Sequence, residues 1–313
     1  MRFSIVGPGF TPIPPVGWGA VESLIWDMRN VLIELGHEVD IVNTTDPKDI
    51  LDQINSYQPD FVHIHYDDWV GLYPYIQYPC VCTSHYGYLE RPNMFGGYVN
   101  IANTFAKIQP RVFCLSEGIK KVYNIMFNIP NEKLYISPNG VNCKSFEVVN
   151  IPRHSDRSIY LAKVDYRKRQ HLFQSIDSLW YAGNIADDKF DQTKNYLGEW
   201  SKETLHNSLT EYGNLVLLSD GEAHPLVCME AFAAGLGVVV SEWGKANLDI
   251  DKKFITVVPE KHINDIEFIE YEIVKNRVYS VQHRDEILEY AQTFDWKNVI
   301  QNIYLPNVKQ VLG

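Results

Sequence analysis

The sequence predicts an α/β protein of two similar halves, each a parallel sheet flanked by helices. Three observations lead there. The first 145 residues alternate short apolar runs with helically spaced ones, the pattern of βαβ units. A second alternation of the same kind begins near residue 158. The chain has 313 residues, enough for two domains of about 150 each.

In the first half, Arg2 to Val6 reads as a strand, and Ala20 to Leu35 as a helix with apolar residues at Val21, Leu24, Ile25, Met28, Val31, Leu32 and Leu35, ended by Gly36. Val39 to Val42 is a strand, Ile50 to Tyr57 a helix and Phe61 to Ile64 a strand. Val81 to Ser84 and Val112 to Leu115 are further strands, Glu117 to Phe127 a helix, and Tyr135 to Ser137 closes the series. Pro138-Asn139-Gly140 is a turn signal, and the polar stretch 147–157, with Pro152, is the expected domain boundary. In the second half Ser158 to Ala162, Leu215 to Leu218 and Val238 to Ser241 read as strands, with Leu226 to Ala234 a helix. Region 170–210 is expected to hold a helix, a short strand near Leu179 to Ala182 and a helix near Ser201 to Leu209. The chain ends in a helical run, Trp296 to Leu312, expected to break near Pro306.

Composition narrows the function. A formal net charge of −11 argues against general affinity for a nucleic-acid backbone, which needs dense Lys/Arg contacts. Five scattered cysteines form neither a disulfide framework nor a metal-ligand pattern, so reduced thiols in a cytoplasmic protein are expected. The N-terminus runs directly into a strand without a signal-peptide pattern. No apolar stretch reaches the ~18 residues of a membrane span, so any membrane contact is expected to be peripheral.

The most informative segment runs from Ser219 to Ala231, between a strand and a helix. Pro225 suits a first helical turn, where its missing N–H costs nothing. The amides of Leu226 and Val227 are then unpaired donors at a positive helix end, suited to phosphate. Glu222 lies in the loop before the helix and Glu230 one turn into it, so both carboxylates reach one small ligand. Carboxylates accept paired hydrogen bonds from vicinal hydroxyls such as those of sugars and ribose. By spacing alone the plainer reading is preferred, with Glu222 complementing the helix end and Glu230 solvated. The surrounding residues reverse that order.

Glu222, Glu230, Ala231, Gly235 and Val238-Val239-Val240 follow one another in a way that resembles glycosyltransferase family 4, retaining enzymes of the GT-B fold with a Glu-x7-Glu motif. The resemblance implies two Rossmann-like domains facing across a cleft: residues 1–150 for the acceptor, joined by the C-terminal helix 297–313, and 151–296 for a nucleotide sugar. It implies that Glu222 contacts the donor sugar, that Glu230 contacts the ribose, and that amides from Ala223 and His224 through Leu226 and Val227 bind the donor phosphate.

Other landmarks agree. Pro14-Pro15-Val16-Gly17-Trp18-Gly19 resembles the family's glycine-rich first loop; without a Cβ, Gly17 and Gly19 let the backbone approach a diphosphate. A plain turn before a helix is the competing reading, and Gly36-His37-Glu38-Val39 at that helix's end, another family hallmark, favours the first. His63 and His65 share one strand face and read as packed or cleft-lining. Thr83-Ser84-His85-Tyr86-Gly87 resembles the family's Thr-x-His-Gly region, with His85 either facing the reaction centre or capping its strand. Ser116-Glu117 resembles a helix start and Pro138-Asn139-Gly140-Val141-Asn142 the family's interdomain turn.

Ala162-Lys163-Val164-Asp165-Tyr166-Arg167-Lys168 resembles the family's Gly-Arg…Lys-Gly segment, and fixed cations there stabilise a departing diphosphate. Lys163 and Lys168 are the candidates. Lys163 stands where Arg is usual, and Ala162 and Arg169 where glycines are usual; Arg167 and Arg169 read as solvated surface cations. Loss of Lys168 is expected to lower kcat while leaving the fold intact. The family's Gly-x-Gly base-contacting loop is reduced to Ala182-Gly183-Asn184.

The resemblance thus implies a retaining, metal-independent transferase that moves a hexose or related sugar from a nucleotide-diphosphate sugar to a hydroxyl of a glycan, lipid-linked or other acceptor, with no cofactor. Asp67-Asp68 and Asp187-Asp188 are weak metal candidates. The competing readings are a degenerate sugar-nucleotide-binding protein, an epimerase or phosphorylase on the same fold, and a transferase acting on modified DNA bases. Tyr- and Trp-rich stretches 66–78 and 86–98 are candidates for acceptor stacking or for packing among themselves.

Overall fold

The computed structural model describes residues 1–17 and 19–313; Trp18 of the first glycine-rich loop lies outside the described residues. The chain divides into two compact units, Met1–Gly140 with Trp296–Gly313, and Val141–Asp295.

The first unit runs β1 (Arg2–Val6), α1 (Ala20–Glu34), β2 (Glu38–Val42), α2 (Pro47–Tyr57), β3 (Phe61–Ile64), β4 (Cys80–Cys82), α3 (Val99–Ile108), β5 (Val112–Cys114), α4 (Glu117–Ile125) and β6 (Leu134–Ile136). The second runs β7 (His154–Leu161), β8 (Leu179–Ala182), α5 (Lys202–Ser208), β9 (Tyr212–Leu217), α6 (Leu226–Ala233), β10 (Gly237–Ser241), β11 (Ile255–Val258), α7 (Ile266–Gln282) and α8 (Arg284–Ala291). The chain then returns to the first unit with α9 (Trp296–Val299), a π turn (Ile300–Tyr304) and α10 (Leu305–Leu312).

Local chemistry explains these elements. Helix α1 buries Leu24, Ile25, Met28 and Leu32 along one stripe, and Gly36 behind it has a φ of 84°, a left-handed geometry that glycine adopts without strain. Asp46 caps α2 by accepting from the amides of Lys48 and Asp49, with Pro47 at the first position. Ser116 caps α4 through the Ile119 amide at 3.1 Å. Strand β9 is buried along its whole length, as a central strand covered on both faces must be. The expected break at Pro306 is a π turn instead: Pro306 falls in the first turn of α10, where no amide donor is needed.

All strands are parallel. The first sheet has the order β2-β1-β3-β4-β5-β6 and the second β11-β10-β9-β7-β8. In the first, the chain leaves β1 toward one edge and β3 toward the other, so the order reverses between them. In the second it reverses between β7 and β9. At such a point the loops at the strands' carboxyl ends part and leave a crevice, the preferred ligand position in an open α/β sheet. Topology therefore marks the loops after β1 and β3, and those after β7 and β9.

Other expectations are corrected. Residues 242–295, left unassigned by the sequence, contain β11, α7 and α8, while α3 and a 3-10 stretch (Asp67–Tyr75) fill gaps in the first unit. Between β7 and β8 stand two 3-10 turns in place of the expected helix. Gly140 of the Pro-Asn-Gly turn lies against Trp296, whose ring a Cβ would meet at 2.6 Å, so this glycine packs the returning chain. Gly183 has a φ of 145°, and a Cβ there would stand 1.9 Å from the Ala162 carbonyl oxygen. Gly183→Ala is expected to cost about 2–3 kcal/mol, read as a fall in the denaturant midpoint at unchanged m-value.

Candidate functional site

At the crevice of the second sheet, β7 ends at Leu161 and leads into a segment whose Asp165 caps a 3-10 turn through the Lys168 amide at 3.0 Å. The Lys168 backbone is fastened by Tyr160, whose hydroxyl donates to the Lys168 carbonyl and accepts from the Leu218 amide at 2.9 Å. From the other side of the crevice comes the loop after β9. Its Asp220 amide donates to the Arg167 carbonyl at 2.7 Å, and Arg167 donates to the Gly221 carbonyl. The two loops are thus tied together by backbone groups before any side chain is considered.

Their side chains form a compact charged cluster. Lys168 Nζ donates to Glu222 Oε1, with both side chains only 10% exposed, and Arg167 Nη1 stands 3.3 Å from the same oxygen. Burial pushes the Glu222 carboxyl up, but Lys168 and Arg167 together outweigh it and hold it below the ordinary carboxylate range. Burial draws the Lys168 ammonium below the usual lysine range, partly offset by Glu222. Arg169 pairs with Asp220 and, at 2.6 Å, with Glu260. Arg167 and Arg169 are therefore partly buried ion-pair partners and not solvated surface cations. Arg169 also has a φ of 58°, a left-handed conformation that glycine takes freely, and its two carboxylate partners hold the larger residue there.

Helix α6 starts directly behind this loop. Pro225 takes the capping position with no side-chain cap, one residue earlier than expected, and Leu226 and Val227 are the first two helical residues. Their amides point out of the helix end as expected of uncapped donors. Ala223 and His224 lie buried in the loop. Glu230 sits one turn in, mostly buried, with Lys202 Nζ at 3.1 Å. Lys163 is apart from this group. Its side chain is exposed and has no ion-pair partner among the described residues, while its carbonyl accepts from Gln170 at 3.0 Å.

The remaining candidates belong to the first unit. Gly17 is exposed, with open space where a Cβ would stand. Gly19 is tighter: a Cβ would meet Pro15 at 2.9 Å and Glu22 at 3.0 Å, so packing alone requires glycine there. Both precede α1 in the loop after β1. His85 follows β4 and is joined by its Nε2 to His65 Nδ1 at 3.1 Å. Burial lowers its imidazole pKa to about 4. Among the aromatic stretches, Tyr86 stacks on Tyr98 at 3.9 Å and Trp69 donates to the Gly7 carbonyl at 3.1 Å, which favours packing among themselves for these side chains.

Comparison with known proteins agrees with this architecture. Residues 45–145 match the family described as Glycosyltransferase Family 4. The chain is similar to sucrose-phosphate synthase from Thermosynechococcus elongatus, with a TM-score of 0.78 and 15% identity over 99% of this chain and 98% of that one. It is similar to HepE of Anabaena, solved in complex with UDP-glucose (TM-score 0.72, 13% identity, 99% of this chain and 100% of that one). A glycosyltransferase from Rickettsia africae ESF-5 gives a TM-score of 0.66 and 16% identity over 99% and 98%. These likenesses establish the fold as GT-B. No curated protein matches the chain in sequence.

One member of each acidic pair considered for metal binding is engaged. Asp187 accepts from His171 at 2.6 Å, and Asp67 accepts from Ser84 at 2.8 Å. Among the described residues no group of three or more His, Cys, Asp or Glu is arranged for a metal ion, and no helix is long and apolar enough to cross a membrane. Burial raises the Asp67 carboxyl to about 7. Because that value lies above the unfolded one, the folded state holds the extra proton. The stability it contributes is present below pH ~4 and is lost as pH rises through about 7. Asp67→Asn is expected to flatten the fall in Tm between pH 5 and 8 and to raise Tm at pH 8 by a few °C, as differential scanning calorimetry would record.

Sequence reasoning missed Arg167 and Tyr160 as members of the cluster. Arg167 could have been found from the three consecutive cations Arg167 to Arg169 and the acidic pair Asp220 and Glu222. Tyr160 sits inside an apolar strand and carries no such signal.

Proposed function

We propose that the chain transfers a hexose or related sugar from a nucleotide-diphosphate sugar to a hydroxyl of a glycan or other acceptor, with retention of anomeric configuration and without a metal. The observation that carries this reading is the buried Lys168–Glu222 pair at the sheet's reversal point, directly ahead of the uncapped end of α6. A diphosphate fits amide donors and a fixed cation, while an ionised carboxylate held beside them fits the hydroxyls of the attached sugar. HepE, solved with UDP-glucose on the same fold, supports a nucleotide sugar as donor.

In this reading the amides of Ala223, His224, Leu226 and Val227 hold the phosphates, Lys163 and Lys168 take up the leaving-group charge, Glu222 orients the sugar and Glu230 the ribose. Gly17 and Gly19 belong to the diphosphate side of the first unit, and His85 to the sugar side. Retention follows from front-face attack, with the donor β-phosphate oxygen accepting the proton of the incoming hydroxyl. The lysines supply the charge a metal would otherwise bring. Five free thiols, four of them buried, suit a reducing cytoplasmic setting.

Thermal-shift screening against uridine, guanosine, adenosine and thymidine diphosphate sugars in excess EDTA tests donor class and metal independence together. One nucleotide class is expected to raise Tm by mass action, and proton NMR of a transferred product is expected to show the donor's anomeric configuration. No stabilisation by any nucleotide sugar would overturn the reading. Stabilisation without transfer to any acceptor would make the protein a degenerate binder, and an inverted anomeric signal would remove retention.

A further inference from the structure

Arg169 follows Lys168 in the chain but serves a different pair of carboxylates. Its Nη2 donates to Asp220 Oδ1 and, at 2.6 Å, to Glu260 Oε1, while Nη1 donates to Glu260 Oε2 at 3.2 Å. The side chains of Arg169, Asp220 and Glu260 are 14%, 10% and 32% exposed. Lys168 is directed instead to Glu222. The surroundings of the two cations follow the same division. Burial works against both charges; beyond it, Glu222, Arg167 and Asp165 act on Lys168, and Glu260, Asp220 and Tyr160 act on Arg169.

Asp220 nevertheless lies within the stretch that Lys168 spans. Its amide donates to the Arg167 carbonyl at 2.7 Å, on the peptide that joins Arg167 to Lys168, and two residues further on Glu222 receives Lys168 Nζ. A carboxylate only 10% exposed needs a cation beside it or must take up a proton. Without Arg169 the cations left beside that contact are Arg167 and Lys168, and Lys168 then has one ammonium for two acids. The backbone does not depend on the Arg169 guanidinium. The Ser219 carbonyl accepts from Ser241 Oγ at 2.6 Å, the Asp220 amide is bonded to the Arg167 carbonyl, and the Arg169 carbonyl accepts from the Leu172 amide at 3.0 Å. Glycine adopts the φ of 58° found at position 169 freely. Removing this side chain therefore changes the charge around Lys168 and leaves both loops tied.

We propose that Arg169 is a positioning residue: by holding Asp220 it keeps that carboxylate off Lys168, whose ammonium is left to Glu222 and to the donor diphosphate. The diphosphate rests on the function proposed above; the withdrawal of Asp220 rests on the geometry alone.

Calorimetric titration with inorganic pyrophosphate in excess EDTA reads the phosphate site without a nucleotide. The wild type is expected to bind it, and Arg169→Gly to bind it about tenfold more weakly. Arg169→Gly combined with Asp220→Asn has the net charge of the wild type and lacks the competing acid, so its affinity should return to within about twofold of the wild type. Arg169→Gly combined with Glu260→Gln has that same net charge but keeps Asp220 ionised, and should stay about tenfold weak. Equal recovery in the two double variants would mean that net charge alone matters, and recovery in neither that Arg169 is a strut. Either result overturns the proposal, as does an Arg169→Gly protein that binds like the wild type or a wild type that binds no pyrophosphate. Should Arg169→Gly not fold, Arg169→Asn, also at home at positive φ, replaces it in the single and double variants. Pyrophosphate binding in the expected order, with no stabilisation by any nucleotide sugar, would remove the proposed function and spare the role of Arg169. Sugar transfer by the wild type, with pyrophosphate affinity unchanged in Arg169→Gly, would do the reverse.

Discussion

Lys168→Ala is expected to lower kcat by about 10²–10³-fold and to lower Tm as well. The first effect follows from the chemistry proposed for the leaving group, whose charge grows as the glycosidic bond breaks and is met by a cation that needs no reorganisation. The second adds a loss of stability to the expectation that the fold stays intact. Lys168 is a buried partner of Glu222, and its removal strands a carboxylate that burial already pushes up. Breaking a buried pair costs roughly 3–5 kcal/mol; Arg167, 3.3 Å from the same oxygen, keeps the loss toward or below the lower figure.

The two effects separate experimentally. In the Lys168→Ala background, Glu222→Gln removes the stranded charge and should recover much of the Tm without recovering kcat. Lys163→Ala, at an exposed position, should leave Tm nearly unchanged. The pH dependence carries a sign. The folded Glu222 carboxyl lies below its unfolded value, so its contribution is present above the unfolded pKa and is lost as pH falls through the folded one. The Tm gap between wild type and Lys168→Ala should therefore be widest near pH 7 and should narrow toward pH 4. A variant with wild-type kcat would remove Lys168 from the chemistry. A gap that does not change with pH would mean that the lost stability does not come from this pair.

Ten of the eleven parallel strands were legible as short apolar runs between turn residues, β11 being the exception; β8, for example, occupies Leu179–Ala182 as read. Helix α7 was not legible, and its buried face shows why. Between Ile269 and Ile273 and the end of the helix, the core side carries Asn276, Arg277 and Ser280. Asn276 donates to the carbonyls of Val238 and Phe254, and Arg277 to the Ser158 hydroxyl at 3.0 Å. Polar residues satisfied by strand backbone erase the apolar periodicity on which a helix assignment depends. The candidate site divides in the same way. A group of cations within 163–169 is visible in the sequence, but the partners Asp220, Glu222 and Glu260 lie 51 to 91 positions away, and the reversal of strand order brings the loops after β7 and β9 together. His63 and His65 sharing a face is likewise a local pattern, whereas the link from His63 to Tyr304 spans 241 positions and depends on the return of the chain after Asp295.

Glu230→Ala is expected to raise the donor KM by about 10–100-fold while changing kcat less than about threefold. The carboxylate lies one turn into α6 and is mostly buried, and its partner Lys202 is 53% exposed. A pair with one arm in water contributes at most about 1 kcal/mol, so the fold loses little when Glu230 is truncated and the carboxylate is free to exchange Lys202 for a ligand. Hydrogen bonds from hydroxyls to a charged acceptor are worth about 1.5–3 kcal/mol, which sets the expected range in KM. The ribose is unchanged between ground and transition states, so its contact supports binding uniformly and leaves kcat alone. The decisive measurement is a coupling. A donor with 2′,3′-dideoxyribose should bind the wild type about as weakly as the natural donor binds Glu230→Ala, and combining the two changes should add little further loss. Lys202→Ala should leave the donor KM unchanged or lower it, since it releases the carboxylate for the ribose. If Glu230→Ala still distinguishes ribose from dideoxyribose as sharply as the wild type does, the ribose contact lies elsewhere, and Glu230 is a helix residue held in place by Lys202.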